Sequence, residues 1–127
     1  MFIAEKQGKF SIKVKDRLED KEGLKPKSVW YKPQYTAALG TLILKDVVDN
    51  NIFSYPKALA TVSDQVRFNS DSNSIILDYF AGSGTTGHAV INLNREDGGN
   101  RKYILVEMGE YFSKVTQPRI KKVVYAS

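Results

Sequence analysis

Apolar and polar positions change period several times along the chain, and each change marks an element. Phe10, Ile12 and Val14 alternate with Ser11, Lys13 and Lys15, the period of two that turns one strand face toward a core. This predicts a first strand over residues 9–15. The charged stretch Asp16 to Lys27 holds Gly23 and Pro26 and reads as a loop into Ser28-Val29-Trp30-Tyr31; Lys32-Pro33-Gln34 then interrupts the chain again. From Thr36 to Val48, Leu39, Leu42, Ile43, Val47 and Val48 recur at helical spacing, with Gly40 as the weak point and Asp49-Asn50-Asn51 as the stop. Pro56 ends the short apolar run Ile52-Phe53-Ser54-Tyr55 and is expected at the first position of a helix over about 57–68, with Leu59, Val62 and Val66 on one face.

The second half has a different rhythm. Asn69 to Ser74 is a polar turn, and Ser74-Ile75-Ile76-Leu77-Asp78 is a continuous apolar run of the kind that forms a parallel strand buried on both faces. A glycine-rich turn follows, then a helix over Thr85–Asn94 carrying Ala89, Val90 and Leu93, a turn at Glu96-Asp97-Gly98-Gly99-Asn100, and a second apolar strand over Lys102–Glu107. Strand, helix and strand in this order predict a βαβ unit with a right-handed crossover. A last helix is expected over Glu110–Tyr125, kinked or split by Pro118.

Composition narrows the classes. With 127 residues, 42% hydrophobic and 26% charged, the chain has the balance of one globular domain and no room for a complete large enzyme. Cysteine is absent and histidine occurs once, as His88, which excludes disulfides, thiolate zinc sites and His-rich metal sites; no metal is expected. No apolar run reaches the length of a membrane span, and Lys6 and Lys9 stand where a signal peptide would be apolar, so a cytoplasmic protein without membrane partners is expected. The net charge of +5 is unevenly spread, being +4 over residues 1–35, −3 over 36–112 and +4 over the last fifteen. The basic ends either solvate a surface hairpin and loop or track phosphates.

Gly82-Ser83-Gly84-Thr85-Thr86-Gly87 fits G-x-G-x-x-G between strand and helix, with the acidic Glu107 twenty residues further on. Glycine lets the backbone turn sharply and a ligand approach it, and the helix N-terminus offers unpaired N–H groups to an anion. Glu107, at the end of the next strand, is placed to accept hydrogen bonds from two ribose hydroxyls, which makes this an adenosine-type cofactor site. A phosphate-binding loop would need lysine where His88 stands after Gly87. An NAD-binding Rossmann unit is the runner-up, disfavoured because Asp78-Tyr79-Phe80-Ala81 separates strand from glycine and only twenty residues follow Glu107.

The string Asp78-Tyr79-Phe80-Ala81-Gly82-Ser83-Gly84-Thr85-Thr86-Gly87 resembles motif I of the DNA amino-methyltransferases that make N6-methyladenine or N4-methylcytosine. With Phe53-Ser54-Tyr55-Pro56-Lys57, Asp97-Gly98-Gly99-Asn100-Arg101-Lys102 and Pro118-Arg119-Ile120-Lys121-Lys122-Val123, residues 28–125 resemble the C-terminal part of type III restriction-modification Mod subunits. The resemblance implies an α/β, Rossmann-like S-adenosylmethionine-dependent methyltransferase fold in incomplete form. Its cofactor motif would be formed by Asp78, Phe80, Ala81, Gly82, Ser83, Gly84, Thr85 and Thr86, with Glu107 holding the ribose and Tyr55, Pro56 and Lys57, which match motif X, beside the methionine end. Phe80, an aromatic directly before the glycine turn, is placed to cover the adenosine or methionine group.

Methylating an exocyclic amine also needs a flipped base held by polar and aromatic groups, which the family supplies with [DNS]-P-P-[YFW]. The sequence contains no Pro-Pro, and Lys32-Pro33-Gln34-Tyr35 reads as a turn, so no catalytic residue is assigned and the chain alone is expected to be inactive. His88 is expected as a surface side chain, and Trp30 and Tyr31 either stack on a base or fill a core or interface. The organisation expected is a basic strand and loop region at 1–35 and a cofactor-binding subdomain at 36–127. The function expected is the cofactor part of an adenine-N6 DNA methyltransferase, with DNA, the rest of a Mod chain, a restriction subunit and a second copy as partners. The alternative is a non-catalytic assembly module of such a system.

Overall fold

The computed structural model describes residues 28–48 and 53–126, and the backbone of two strands at 2–6 and 9–13. Strands β1 (Phe2–Lys6) and β2 (Lys9–Lys13) pair antiparallel, Phe2 opposite Lys13 and Lys6 opposite Lys9. The chain's first strand is thus Phe2–Lys6, where Phe2-Ile3-Ala4 lacks the alternation that marks Lys9–Lys13. The expected end of β2 at Val14-Lys15, the loop Asp16–Lys27 and the helix stop at Asp49-Asn50-Asn51 lie outside the described residues.

A 3-10 turn at Pro33–Tyr35 leads into α1 (Ala37–Val48), which is followed by α2 (Leu59–Asn69), β3 (Ile75–Asp78), α3 (Thr85–Asp97), β4 (Lys102–Leu105) and α4 (Gln117–Tyr125). Pro56 is not at a helix start: α2 begins at Leu59 with Ala58 as its N-cap, and Pro56 is instead buried in an extended segment. The expected division at Pro118 is present. Five residues, Phe112–Thr116, form a wide π turn, and α4 continues directly from it with Pro118 in its first turn.

β3 and β4 are parallel, with Ile75 opposite Lys102 and Asp78 opposite Leu105, and α3 is the crossover. α3 runs three residues past its expected end because Gly98, at φ 67°, supplies the left-handed cap. Asn94 then binds Arg101 reciprocally, its Nδ2 donating to the Arg101 carbonyl at 2.9 Å and its Oδ1 accepting the Arg101 N–H at 3.0 Å. That clasp sets where β4 starts.

The core lies on one face of this pair. Val66 of α2 and Val90 and Leu93 of α3 are buried together, with Val62, Ile76 and Tyr103 packed against them. The other face is bare among the described residues: Ile75, Leu77 and Ile104 are 65%, 47% and 52% exposed. Strands read as buried on both faces are therefore covered on one. The N-terminal segment is tied to α2 by Trp30, whose ring lies 5.4 Å from Tyr35 and 6.2 Å from Phe68, and by the Tyr35 hydroxyl donating to Asp64 at 2.8 Å. Trp30 is thus a packing residue, while Tyr31 is exposed.

Candidate functional site

The glycine turn stands at the C-terminal end of β3, held from three directions. Asp78 is the first: its Oδ1 accepts the Phe80 N–H at 3.0 Å and its Oδ2 the Thr86 hydroxyl at 2.6 Å, pinning both arms of the turn to the strand. Glu107, just past β4, is the second, accepting the Gly82 N–H at 2.8 Å through Oε2 and the Gly109 N–H at 2.8 Å through Oε1. These backbone donors, Gly109 and then Gly82, hold the Glu107 carboxyl below the usual carboxylate range. The third is the chain before α4, where the Thr116 hydroxyl donates to the Gly82 carbonyl at 2.5 Å.

Two glycines are required by conformation, Gly82 at φ 54° and Gly84 at φ 78°. A side chain would also be crowded there, since a Cβ on Gly82 would lie 3.2 Å from the Phe53 ring and one on Gly84 3.2 Å from the Thr116 methyl. The first helical bond of α3 runs from the His88 N–H to the Gly84 carbonyl at 3.2 Å, so the N–H groups of Thr85, Thr86 and Gly87 precede the ladder. They form the donor set expected at a helix start that meets an anion.

The predicted residues divide by where they point. Ala81, Ser83 and Thr85 are buried, and the two hydroxyls bond each other at 3.2 Å, so these residues offer a ligand their backbone alone. Phe80 is 88% exposed beside the turn, and Tyr55 and Lys57 are exposed while Pro56 is buried. The segment carrying Tyr55 to Lys57 reaches the turn through Phe53, which lies against Gly82 and meets Tyr111 edge-on at 5.1 Å. Burial and then the Glu107 charge raise the Tyr111 hydroxyl pKa.

Sequence reasoning did not find Met108, which is 96% exposed next to Glu107, nor Tyr111, Thr116 and Arg119. It also placed His88 at the surface. His88 is 7% exposed, because its Nδ1 accepts from Arg119 Nε at 3.3 Å and the ring is enclosed between α3 and α4. Burial first, then the charges of Arg119 and Arg95, push its pKa down to about 4. Burial also lowers the Arg119 pKa, to about 10, so it remains a cation at neutral pH.

A cavity of about 800 Å³ opens between α1, α3 and α4, lined by Asp46, His88, Asn92, Arg95, Lys121 and Tyr125 among others and by none of the candidate residues. Among the described residues no group of three or more His, Cys, Asp or Glu side chains is placed to hold a metal ion, and no helix is long and apolar enough to cross a membrane.

A family model described as DNA methylase matches residues 1–118. The chain is 41% identical over 90 residues to the type III restriction-modification enzyme EcoPI Mod subunit of Escherichia phage P1, covering 71% of this chain and 14% of that protein. It is 42% identical over 71 residues to the StyLTI Mod subunit of Salmonella typhimurium, covering 56% and 11%. Type II methyltransferase M.KpnI of Klebsiella pneumoniae is 32% identical over 103 residues, covering 81% and 25%. The chain thus spans a quarter or less of the length of these relatives.

Proposed function

The chain belongs to the DNA methylase family, and from that premise we propose that it is the cofactor-binding part of an adenine-N6 DNA methyltransferase of the type III modification class. The observation that carries this is the glycine turn at the end of β3, tied at Gly82 to the acidic residue at the end of the neighbouring parallel strand. Open strand ends of a parallel sheet are where such folds take ligands.

S-adenosylmethionine fits the residues present. The glycines leave the backbone open to close approach, the N–H groups of Thr85 to Gly87 suit its carboxylate, and exposed Phe80 suits a ring or thioether. When bound, it supplies an electrophilic methyl group. Asp78 orients the turn, Glu107 is the acceptor for ribose hydroxyls, and Tyr55, Pro56 and Lys57 border the methionine end. In this reading Ser83, Gly84 and Ala81 shape the floor and Thr86 joins it to β3.

The fold is read as a portion of a Rossmann-like sheet, with residues 36–127 as the cofactor subdomain and residues 1–35 as an N-terminal basic strand and loop region. The bare face of β3 and β4 and the absence of Pro-Pro support a base-binding half supplied by further residues or another chain. DNA is then the methyl acceptor, the rest of a Mod chain and a restriction subunit are the partners, self-association follows from open strand edges, and the setting is cytoplasmic.

Calorimetric titration of the 127-residue chain with S-adenosylhomocysteine, beside NAD and with Gly84→Val as control, tests the reading. Saturable binding of the first ligand, lost in the variant, is expected. Preference for NAD, or binding that survives Gly84→Val, overturns it.

A further inference from the structure

The guanidinium of Arg119 is 0% exposed and spends its donors on the underside of the glycine turn. Nη1 donates to the Ser83 carbonyl at 3.3 Å, to the Ser83 hydroxyl at 3.0 Å and to the Thr85 hydroxyl at 3.0 Å. Nε and Nη2 lie 3.3 and 3.2 Å from His88 Nδ1. Because guanidinium only donates, that nitrogen must be the acceptor, which puts the ring proton on Nε2.

A fully buried arginine is ordinarily matched by a carboxylate. Among the described residues the ion pairs are Arg67 with Glu96, Arg101 with Asp97 and Lys114 with Glu110, and Arg119 is in none of them. It is surrounded instead by hydroxyls, a carbonyl and a neutral imidazole. It also lies beside the N-terminus of α3, whose backbone dipoles already present positive charge there. Asp78 and Glu107 hold the turn from the strand side, but among the described residues neither forms an ion pair with Arg119, so an anionic group on the turn's open side would add to the balance of the two positive features that meet there.

We propose that Arg119 is a positioning residue for the cofactor turn: it fixes Ser83 and Thr85 from beneath and adds the charge that draws the cofactor's carboxylate to the turn. The proposal rests on the S-adenosylmethionine reading above. Being buried, Arg119 acts through Ser83, Thr85 and the field it creates, without touching the ligand.

The test uses Arg119→Lys and Arg119→Met in the whole chain with two ligands, S-adenosylhomocysteine and 5′-methylthioadenosine, which keeps the adenosine and lacks the carboxylate. Arg119→Met, which removes the charge, is expected to weaken the first by about tenfold or more and the second by less than about threefold, while Arg119→Lys, which keeps the charge, stays closer to wild type on the first. A merely structural arginine would weaken both alike, and that result, or no loss for either, overturns the proposal. Amide hydrogen exchange without ligand is the second readout, with Arg119→Lys expected to speed exchange at Gly82 to His88 by about tenfold while distant amides stay unchanged. Should wild type take neither ligand, the cofactor reading fails by itself; unchanged exchange at Gly82 to His88 would overturn the positioning role. If Arg119→Met does not fold, Arg119→Gln, also uncharged, replaces it in the titrations and Arg119→Lys carries the exchange measurement.

Discussion

Replacing Gly40 by alanine sets two effects of opposite sign against each other, and the structure decides between them. In an exposed helix the change stabilises by roughly 1 kcal/mol, because glycine loses more backbone freedom on folding. Gly40 is not exposed: it lies buried on α1 against the extended chain before α2. A Cβ there would lie 2.5 Å from the Pro56 carbonyl oxygen and 2.8 Å from that of Lys57. Those atoms are backbone and Pro56 is itself fully buried, so neither a rotamer change nor a small drift relieves the contact. Overpacking of this kind costs about 1–3 kcal/mol, and rigid neighbours favour the upper end. The expected net is a destabilisation of about 1–2 kcal/mol, or a fall in Tm of about 5–10 °C for a chain of this size. Circular dichroism melts and urea titrations measure it, with Ala38→Gly on the exposed side of α1 as comparison, expected to lose about 1 kcal/mol by propensity alone. If Gly40→Ala raises Tm, the close approach of α1 to residues 56–57 is not what selects glycine, and the steric reasoning fails.

Three further outcomes follow from the site and core. His88 has its pKa depressed to about 4 against an ordinary 6.5, so the unfolded chain binds the extra proton first; its contribution is complete above about pH 6.5 and is lost as pH falls toward 4. After discount for solvent screening that loss is about 2 kcal/mol, and urea titrations at pH 7.5 and 5 of wild type and His88→Asn should show it in wild type only. Glu107→Gln leaves one oxygen where Gly82 and Gly109 now have two; S-adenosylhomocysteine affinity should fall by about tenfold or more, and an unchanged titration would remove Glu107 from the site. Leu93→Ala, at the centre of the core, should cost about 2–5 kcal/mol in urea unfolding, and a loss below 1 kcal/mol would mean the α2–α3 packing is misplaced.

What the sequence disclosed was set by distance along the chain. The β3–α3–β4 unit was legible because its signals are local: apolar runs for the strands, Ala89, Val90 and Leu93 for the helix, and glycines at 82, 84 and 98, where φ turns positive. The pairing of Asp78 with Thr86 was within reach for the same reason. The burial of His88 was not, since it depends on a residue 31 positions later that folds back across α3. One signal was present: Val115, Thr116, Arg119 and Val123, all buried, recur at helical spacing, so an arginine occupies the apolar stripe of the last helix. Pro56 misled because helix starts favour proline, yet Pro56 is held by its contact with Gly40, which local preference does not encode. Strand β1 was missed because Phe2-Ile3-Ala4 has no alternation and is defined by its partner strand.

The support beneath the glycine turn has a consequence for how the protein is made. Thr116 and Arg119 reach back 34 to 36 residues to Gly82 and Ser83. A ribosome adding about 5–20 residues per second needs roughly 2–7 s to cover that interval. Helical turns form in microseconds or less, so α3 can wind on the nascent chain long before its N-terminal turn has a floor. Until Glu107 is added, 25 residues after Gly82, the loop with two left-handed glycines is joined to β3 through Asp78 alone of its three supports. The site is therefore completed from its C-terminal side, and a nascent chain stalled before Glu107 should carry the motif in full with Asp78 as the one of its three supports already made.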